Sequence, residues 1–181
     1  MLQHGPAARR SAADGREALW KHYREGTALD LIAIARALQA RLLRRLREER
    51  GYRGLRPSLG PFLSLIWTEG RPLAALAERL AISRQACSQL ASLAERAGYL
   101  ERELDASGRR ARQVRLSPRG RRLVEDAVAI LLETESEYAG LVGAAGHRRF
   151  TASCADLFVG LGIPAHANRV LHDAAGRSVG V

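Results

Sequence analysis

The stretch DASGRRARQVRLSPRG, Asp105 to Gly120, crowds Arg109, Arg110, Arg112, Arg115 and Arg119 around turn-forming residues. Guanidinium groups repel one another; a phosphate backbone could neutralise them, and a solvated basic edge that keeps the strands from pairing with other chains is the plainer reading. Each guanidinium is a planar fork of N–H donors that matches a phosphate or the edge of a guanine. A second polar group stands upstream, where Ser83, Arg84, Gln85, Ser88 and Gln89 recur on one side of a helical run. Arginine can grip a guanine edge by two hydrogen bonds and glutamine an adenine edge, each worth about 1–3 kcal/mol of discrimination. The chemistry on offer is recognition of a polyanion. No nucleophile–base pair, phosphate loop or carboxylate dyad has recognisable spacing, so no catalytic residue is expected and the chain does not read as an enzyme.

The totals agree. The chain has 181 residues, with 29 basic against 19 acidic ones and a formal net charge of +10. Lys21 is the sole lysine. Such a surplus points to nucleic acid; a solvated basic face or an acidic membrane surface are the plainer alternatives. At 46% hydrophobic residues the chain can bury one core. No apolar run is long enough to span a membrane. The first residues lack the apolar stretch of a secretory signal, so a cytoplasmic protein with reduced thiols is expected. Cys87 and Cys154 are far apart and fall on apolar helix faces, where a buried small thiol is the usual outcome. His22, His147, His166 and His172 form no helical ligand pair, so neither a metal nor a cofactor is expected.

The elements that must hold these groups follow from periodicity. Leu31, Ile32, Ala35, Leu38, Leu42, Leu43 and Leu46 recur at helical spacing and predict a long helix ending at Gly51. Leu59, Phe62, Leu63, Ile66 and Trp67 predict a second helix ending at Gly70, and Leu73, Leu76, Ala77 and Leu80 a short third. Ser83 is a natural N-cap. The helix it opens turns Cys87, Leu90, Leu93, Ala94 and Ala97 inward, while Arg84, Gln85, Ser88, Gln89 and Ser92 face elsewhere. The period then changes to alternation, and YLERELD and QVRLS flank turn residues as a hairpin. Ser117-Pro118 reads as a cap with proline at the first helical position. A long helix follows, broken at VGAAG, and Phe150, Cys154, Leu157, Phe158 and Leu161 mark one more.

Two short helices, the second polar on one side, followed by a basic hairpin make a winged helix-turn-helix. The second helix can lie in the major groove while the hairpin reaches phosphate or the minor groove. The segment from Pro72 to Leu123 resembles the MarR-type (multiple antibiotic resistance) transcriptional regulators. The resemblance rests on Leu76-Ala77-Glu78-Arg79-Leu80, Ile82-Ser83, Leu90, Gly98, Arg102, Arg109-Arg110, Val114, Leu116-Ser117 and Gly120. The helix order extends it over roughly 29–163. Two positions depart from the pattern. Gly108 stands where the family usually has an aspartate, with Asp105 as a possible substitute. Ala94 stands where it often has a leucine, with Leu93 as the substitute after a small rotation.

The fold expected is mainly α with a small β-hairpin wing. A loose arm covers 1–16, one domain 17–163 and a loose tail 164–181. Within the domain, a winged helix-turn-helix at about 57–117 stands between dimerisation helices at about 17–50 and 118–163. The resemblance implies a homodimer on double-stranded DNA with a near-palindromic operator, acting as a repressor released by a small aromatic effector. It places Ser83, Arg84, Gln85, Ser88 and Gln89 in the major groove and Arg109, Arg110 and Arg112 on the minor groove or phosphates, Arg110 at the tip. Tyr52, Phe62 and Trp67 are candidates for an effector pocket, with ordinary core as the alternative. Two other functions fit the charge: a non-specific nucleoid-associated protein, and a winged-helix scaffold for an acidic protein partner.

Overall fold

The computed structural model describes residues 15–162, except 16, 18, 22, 68–69 and 105–109, with backbone alone at 103–104 and 110–112. Of the expected arm 1–16 only residue 15 is described, and it is helical; the expected tail 164–181, Asp105, Gly108 and Arg109 lie outside the described residues. The chain divides into two units, 1–41 and 42–181. In the first, residues 19–21 and 23–25 are helical. Helix α1 (Thr27–Glu48) begins there and ends in the second. Gly51, at φ +71°, follows its last turn.

The second unit continues with α2 (Leu59–Ser64), β1 (Arg71–Pro72), α3 (Leu73–Arg79), α4 (Arg84–Arg96), β2 (Leu100–Leu104), β3 (Arg110–Leu116) and α5 (Pro118–Gly160). The strands form one antiparallel sheet in the order β1-β3-β2. Helices α2, α3 and α4 and the sheet enclose a core. Leu59, Phe62, Ile66, Leu76, Cys87, Tyr99, Val114 and Ile130 are its largest fully buried side chains. Burying each large apolar one stabilises the fold by about 1.5–3 kcal/mol.

Two expectations change here. Helix α2 ends at Ser64, well short of Gly70. Leu65 and Ile66 are buried from turns, so their apolar spacing reflects burial rather than helix. The wing is also more than a hairpin, because Arg71 and Pro72 pair with Val114 and Gln113 and add a third strand.

The helix ends that frame α3 and α4 share one geometry. Tyr99 N–H donates to Ala94 O at 2.9 Å and Gly98 N–H to Glu95 O at 2.9 Å, with Gly98 at φ +76°. Ile82 N–H donates to Ala77 O at 3.0 Å and Ala81 N–H to Glu78 O at 3.1 Å, with Ala81 at φ +51°. Both are Schellman closures, in which a left-handed residue lets two amides satisfy the helix's last carbonyls. The second carries alanine where glycine costs less.

Helix α5 is two helices meeting at Gly143, whose φ of 71° and ψ of 160° are non-helical. This is the break expected at VGAAG. The Tyr138 and His147 ring centroids lie 5.6 Å apart. Nine residues along a straight helix would separate them by about 13 Å, so the chain turns back on itself there.

Candidate nucleic-acid interface

Helix α4 begins at Ser83, whose hydroxyl oxygen accepts from Ala86 N–H at 3.1 Å. Cys87, Ala91 and Ala94 are fully buried, a spacing of four and then three that fixes one face inward. Arg84, Gln85, Ser88 and Gln89 consequently stand together in solvent, as expected. Ser83 is exposed as well, but its oxygen is engaged in the cap. The buried face differs in detail from the expectation. Leu90, Leu93 and Ala97 are only half-buried, and Ala91 takes a central place. Ala94 is itself fully buried while Leu93 is not, so no rotation replaces one by the other.

The wing root is held by several bonds that meet at Ser117. Ser117 N–H donates to Tyr99 O at 3.1 Å. Ser117 Oγ donates to Gly98 O at 2.6 Å and accepts from Gly120 N–H at 3.0 Å, capping α5 with Pro118 at its start. Tyr99 is fully buried, and its hydroxyl donates to Arg53 O at 2.7 Å. The end of α4, the start of β2, the end of β3 and the start of α5 therefore meet in one joint.

The arginines around the wing divide into groups. Arg110 and Arg112 belong to β3, with Arg110 paired to Leu104; their side chains and all of Arg109 lie outside what is described. Arg115 pairs with Glu101 at 3.0 Å across the two strands. The Arg119 guanidinium lies over the Tyr99 ring at 5.3 Å and that of Arg121 over the Trp67 ring at 5.7 Å. Arg102 is bound to α4: its Nε donates to Glu95 Oε2 at 2.9 Å and its Nη2 to Ser92 Oγ at 3.2 Å. Sequence reasoning missed these partners. The opposite charge of Glu101 and Glu95 nearby was the available signal.

Tyr52 and Phe62 are core residues. Phe62 is fully buried, and Tyr52 is buried with its hydroxyl donating to Asp126 Oδ2 at 2.6 Å. Burial, and then the Asp126 bond, push the Tyr52 phenol up to about 12. Trp67 is half-buried beneath Arg121. A cleft of about 480 Å³ opens beside the wing, lined by Glu101, Arg115, Leu116, Pro118, Arg121 and Arg122, and none of those three aromatic residues lines it. Arg45 adds a tie from α1 to α5, its Nε donating to Glu49 and its Nη2 to Glu133 at 2.6 Å. The Arg45 bond holds the Glu49 carboxyl below the usual carboxylate range.

Cys87 is fully buried, with its thiol donating to Leu73 O at 3.4 Å, and burial pushes that thiol up. Cys154 is half-buried. Among the described residues no group of three or more His, Cys, Asp and Glu side chains is placed to hold a metal ion, and no helix is long and apolar enough to cross a membrane.

A helix pair whose second member shows a polar face, joined to a three-stranded wing that returns into a capped long helix, is a winged helix-turn-helix. Residues 65–111 match the MarR family model. The structure is similar to that of MepR, a transcription regulator of the Staphylococcus aureus multidrug efflux pump MepA. They share 18% identity over 75% of this chain and 98% of that one, at a TM-score of 0.58. A Staphylococcus aureus MepR–DNA complex matches at 18% identity over 75% of this chain and 96% of that chain, with a TM-score of 0.56. The Mycobacterium tuberculosis MarR family protein Rv2887 in complex with DNA matches at 20% identity, 73% and 97% coverage, and a TM-score of 0.56. At these identities the likeness is one of fold. No curated protein matches the chain.

Proposed function

We propose that the chain is a sequence-specific, dimeric DNA-binding transcription regulator. The observation that carries this reading is the solvent-facing row Arg84, Gln85, Ser88 and Gln89 on a helix whose opposite face is locked into the core. That helix enters the major groove, and the wing arginines Arg109, Arg110 and Arg112 lie on the minor groove or phosphates. The MepR and Rv2887 complexes with DNA support the reading by fold. Dimerisation is supported by large apolar side chains left in solvent on α5: Leu141 is 86% exposed and Val159 83%, with Phe150 and Leu157 near half. Exposed apolar surface of this kind marks an association face. A twofold dimer reads half-sites about one DNA turn, ~34 Å, apart.

The reading extends to repression relieved by a small aromatic effector. With Tyr52 and Phe62 packed in the core, such an effector has to displace that packing or bind elsewhere, and a raised melting temperature with a panel of aromatic acids is the readout. Selection from random duplexes followed by competition tests the DNA reading. A near-palindromic winner preferred over random duplex is expected. Equal affinity for both favours the non-specific alternative, and no duplex binding at low salt favours the protein-scaffold one.

A further inference from the structure

We propose that Arg102 is a positioning residue: it fixes the wing against the recognition helix and is an arginine of the hairpin kept off the DNA. The proposal rests on the DNA-binding reading above and assigns this residue a role that charge alone would not.

Its geometry is that of a clamp. The guanidinium offers Nε to Glu95 Oε2 at 2.9 Å and Nη2 to Ser92 Oγ at 3.2 Å, so two acceptors near the end of α4 fix the plane of one fork. The side chain is 17% exposed and its Glu95 partner 31%, against 58% for Arg115. A charge-assisted pair shielded in this way resists salt better than an exposed one. Strand pairing explains the direction. Arg102 stands opposite Val114, which is fully buried, so both point to the helix side of the sheet. Glu101 and Arg115 point to the other side and pair with each other.

Position along the strand explains the need. Arg102 is the last regular partner before a register shift. From Arg102 to Leu104, β2 takes two residues while β3 takes four, from Val114 back to Arg110. Such an irregularity bends the strand locally. At that point the ladder stops dictating where the wing goes, and the Arg102 clamp supplies a reference to α4. The hairpin from the shift onward is then held at a fixed offset from the exposed face of α4 that carries Arg84 and Gln89.

A point charge aimed at phosphate predicts otherwise. Lysine would serve nearly as well, and removing Glu95 would free the cation and tighten binding. The test compares wild type, Arg102→Lys, Glu95→Gln and the double variant on the best selected duplex, by affinity and hydroxyl-radical footprint. Amide hydrogen exchange over 100–116 is followed in the free proteins. Each single variant is expected to weaken binding roughly tenfold, the scale of a charged hydrogen bond. The double variant should be no weaker than the worse single. Protection under the wing should fade while protection under α4 persists, and exchange in β2 and β3 should quicken in both single variants. Wild-type affinity in Arg102→Lys, or tighter binding by Glu95→Gln, overturns the proposal. If wild type protects no duplex, the DNA-binding reading fails; unchanged exchange in both variants would then overturn the clamp independently.

Discussion

Gly120 sits at the joint between wing and long helix, and replacing it by alanine is a sharp test of that joint. A Cβ there would lie 1.9 Å from Tyr99 O, 2.8 Å from Tyr99 C and 3.1 Å from Tyr99 Cα. All three are backbone atoms, so no side chain can swing away. Restoring a contact of 3.0 Å requires the two segments to part by about 1 Å. Ser117 N–H already holds that same Tyr99 carbonyl at 3.1 Å, and Ser117 Oγ holds its neighbour Gly98. Overpacking of this kind costs up to about 3 kcal/mol, and the strained hydrogen bond about 1 kcal/mol more. Alanine's better helix propensity returns about 1 kcal/mol. The net loss is about 3 kcal/mol, or a fall in Tm of about 6–12 °C for a chain of this size. Gly140, helical and exposed with nothing within 4 Å of its Cβ position, is the control. Gly140→Ala should leave Tm unchanged or raise it by a few degrees. Circular dichroism melts of the two variants beside wild type decide the matter. A Gly120→Ala protein melting with wild type would refute the close approach on which the joint depends.

Other consequences follow from the same geometry. Ala81→Gly should stabilise the fold by about 0.5–1 kcal/mol in urea titrations, because the left-handed strain at φ +51° exceeds the added freedom of the unfolded chain. Tyr52→Phe should cost about 1 kcal/mol at pH 8 by removing the bond to Asp126. The Tyr52 phenol titrates higher folded than unfolded, so its contribution is complete below pH 10 and is lost as pH rises to about 12. The gap between wild type and Tyr52→Phe should therefore narrow over that window, and a constant gap would contradict the burial argument. In native protein at pH 8, a thiol reagent should modify Cys154 and spare Cys87 until denaturant is added, as mass spectrometry would show.

Much of this arrangement is written locally. Ser83 and Ser117 cap the helices they precede because a short hydroxyl side chain is the natural acceptor for an orphan amide. Gly51, Gly98 and Gly143 all adopt positive φ where helical periodicity stops. The polar face of α4 was readable from spacing alone. The remainder depends on contacts distant in sequence. Two residues cannot display an alternating pattern, so β1 becomes visible only through its pairing with Val114 and Gln113. Leu65 and Ile66 are as apolar as helical core residues yet are buried from turns, which extended the expected helix beyond Ser64. Size misled at Leu90 and Leu93, because the small side chains of Ala91 and Ala94 take the buried centre of α4. Net charge treats every arginine alike, whereas Arg102, Arg115 and Arg119 already have partners within the fold.

The central claim is that the exposed face of α4 reads base sequence. The direct measurement is the ratio of affinities for a selected duplex and a random one, in wild type and in Arg84→Ala, across a salt series. The account predicts that wild type prefers the selected duplex, and that Arg84→Ala loses about 1–3 kcal/mol there while changing random binding much less. Equal affinity of wild type for both duplexes, or an equal loss on both in the variant, would contradict it.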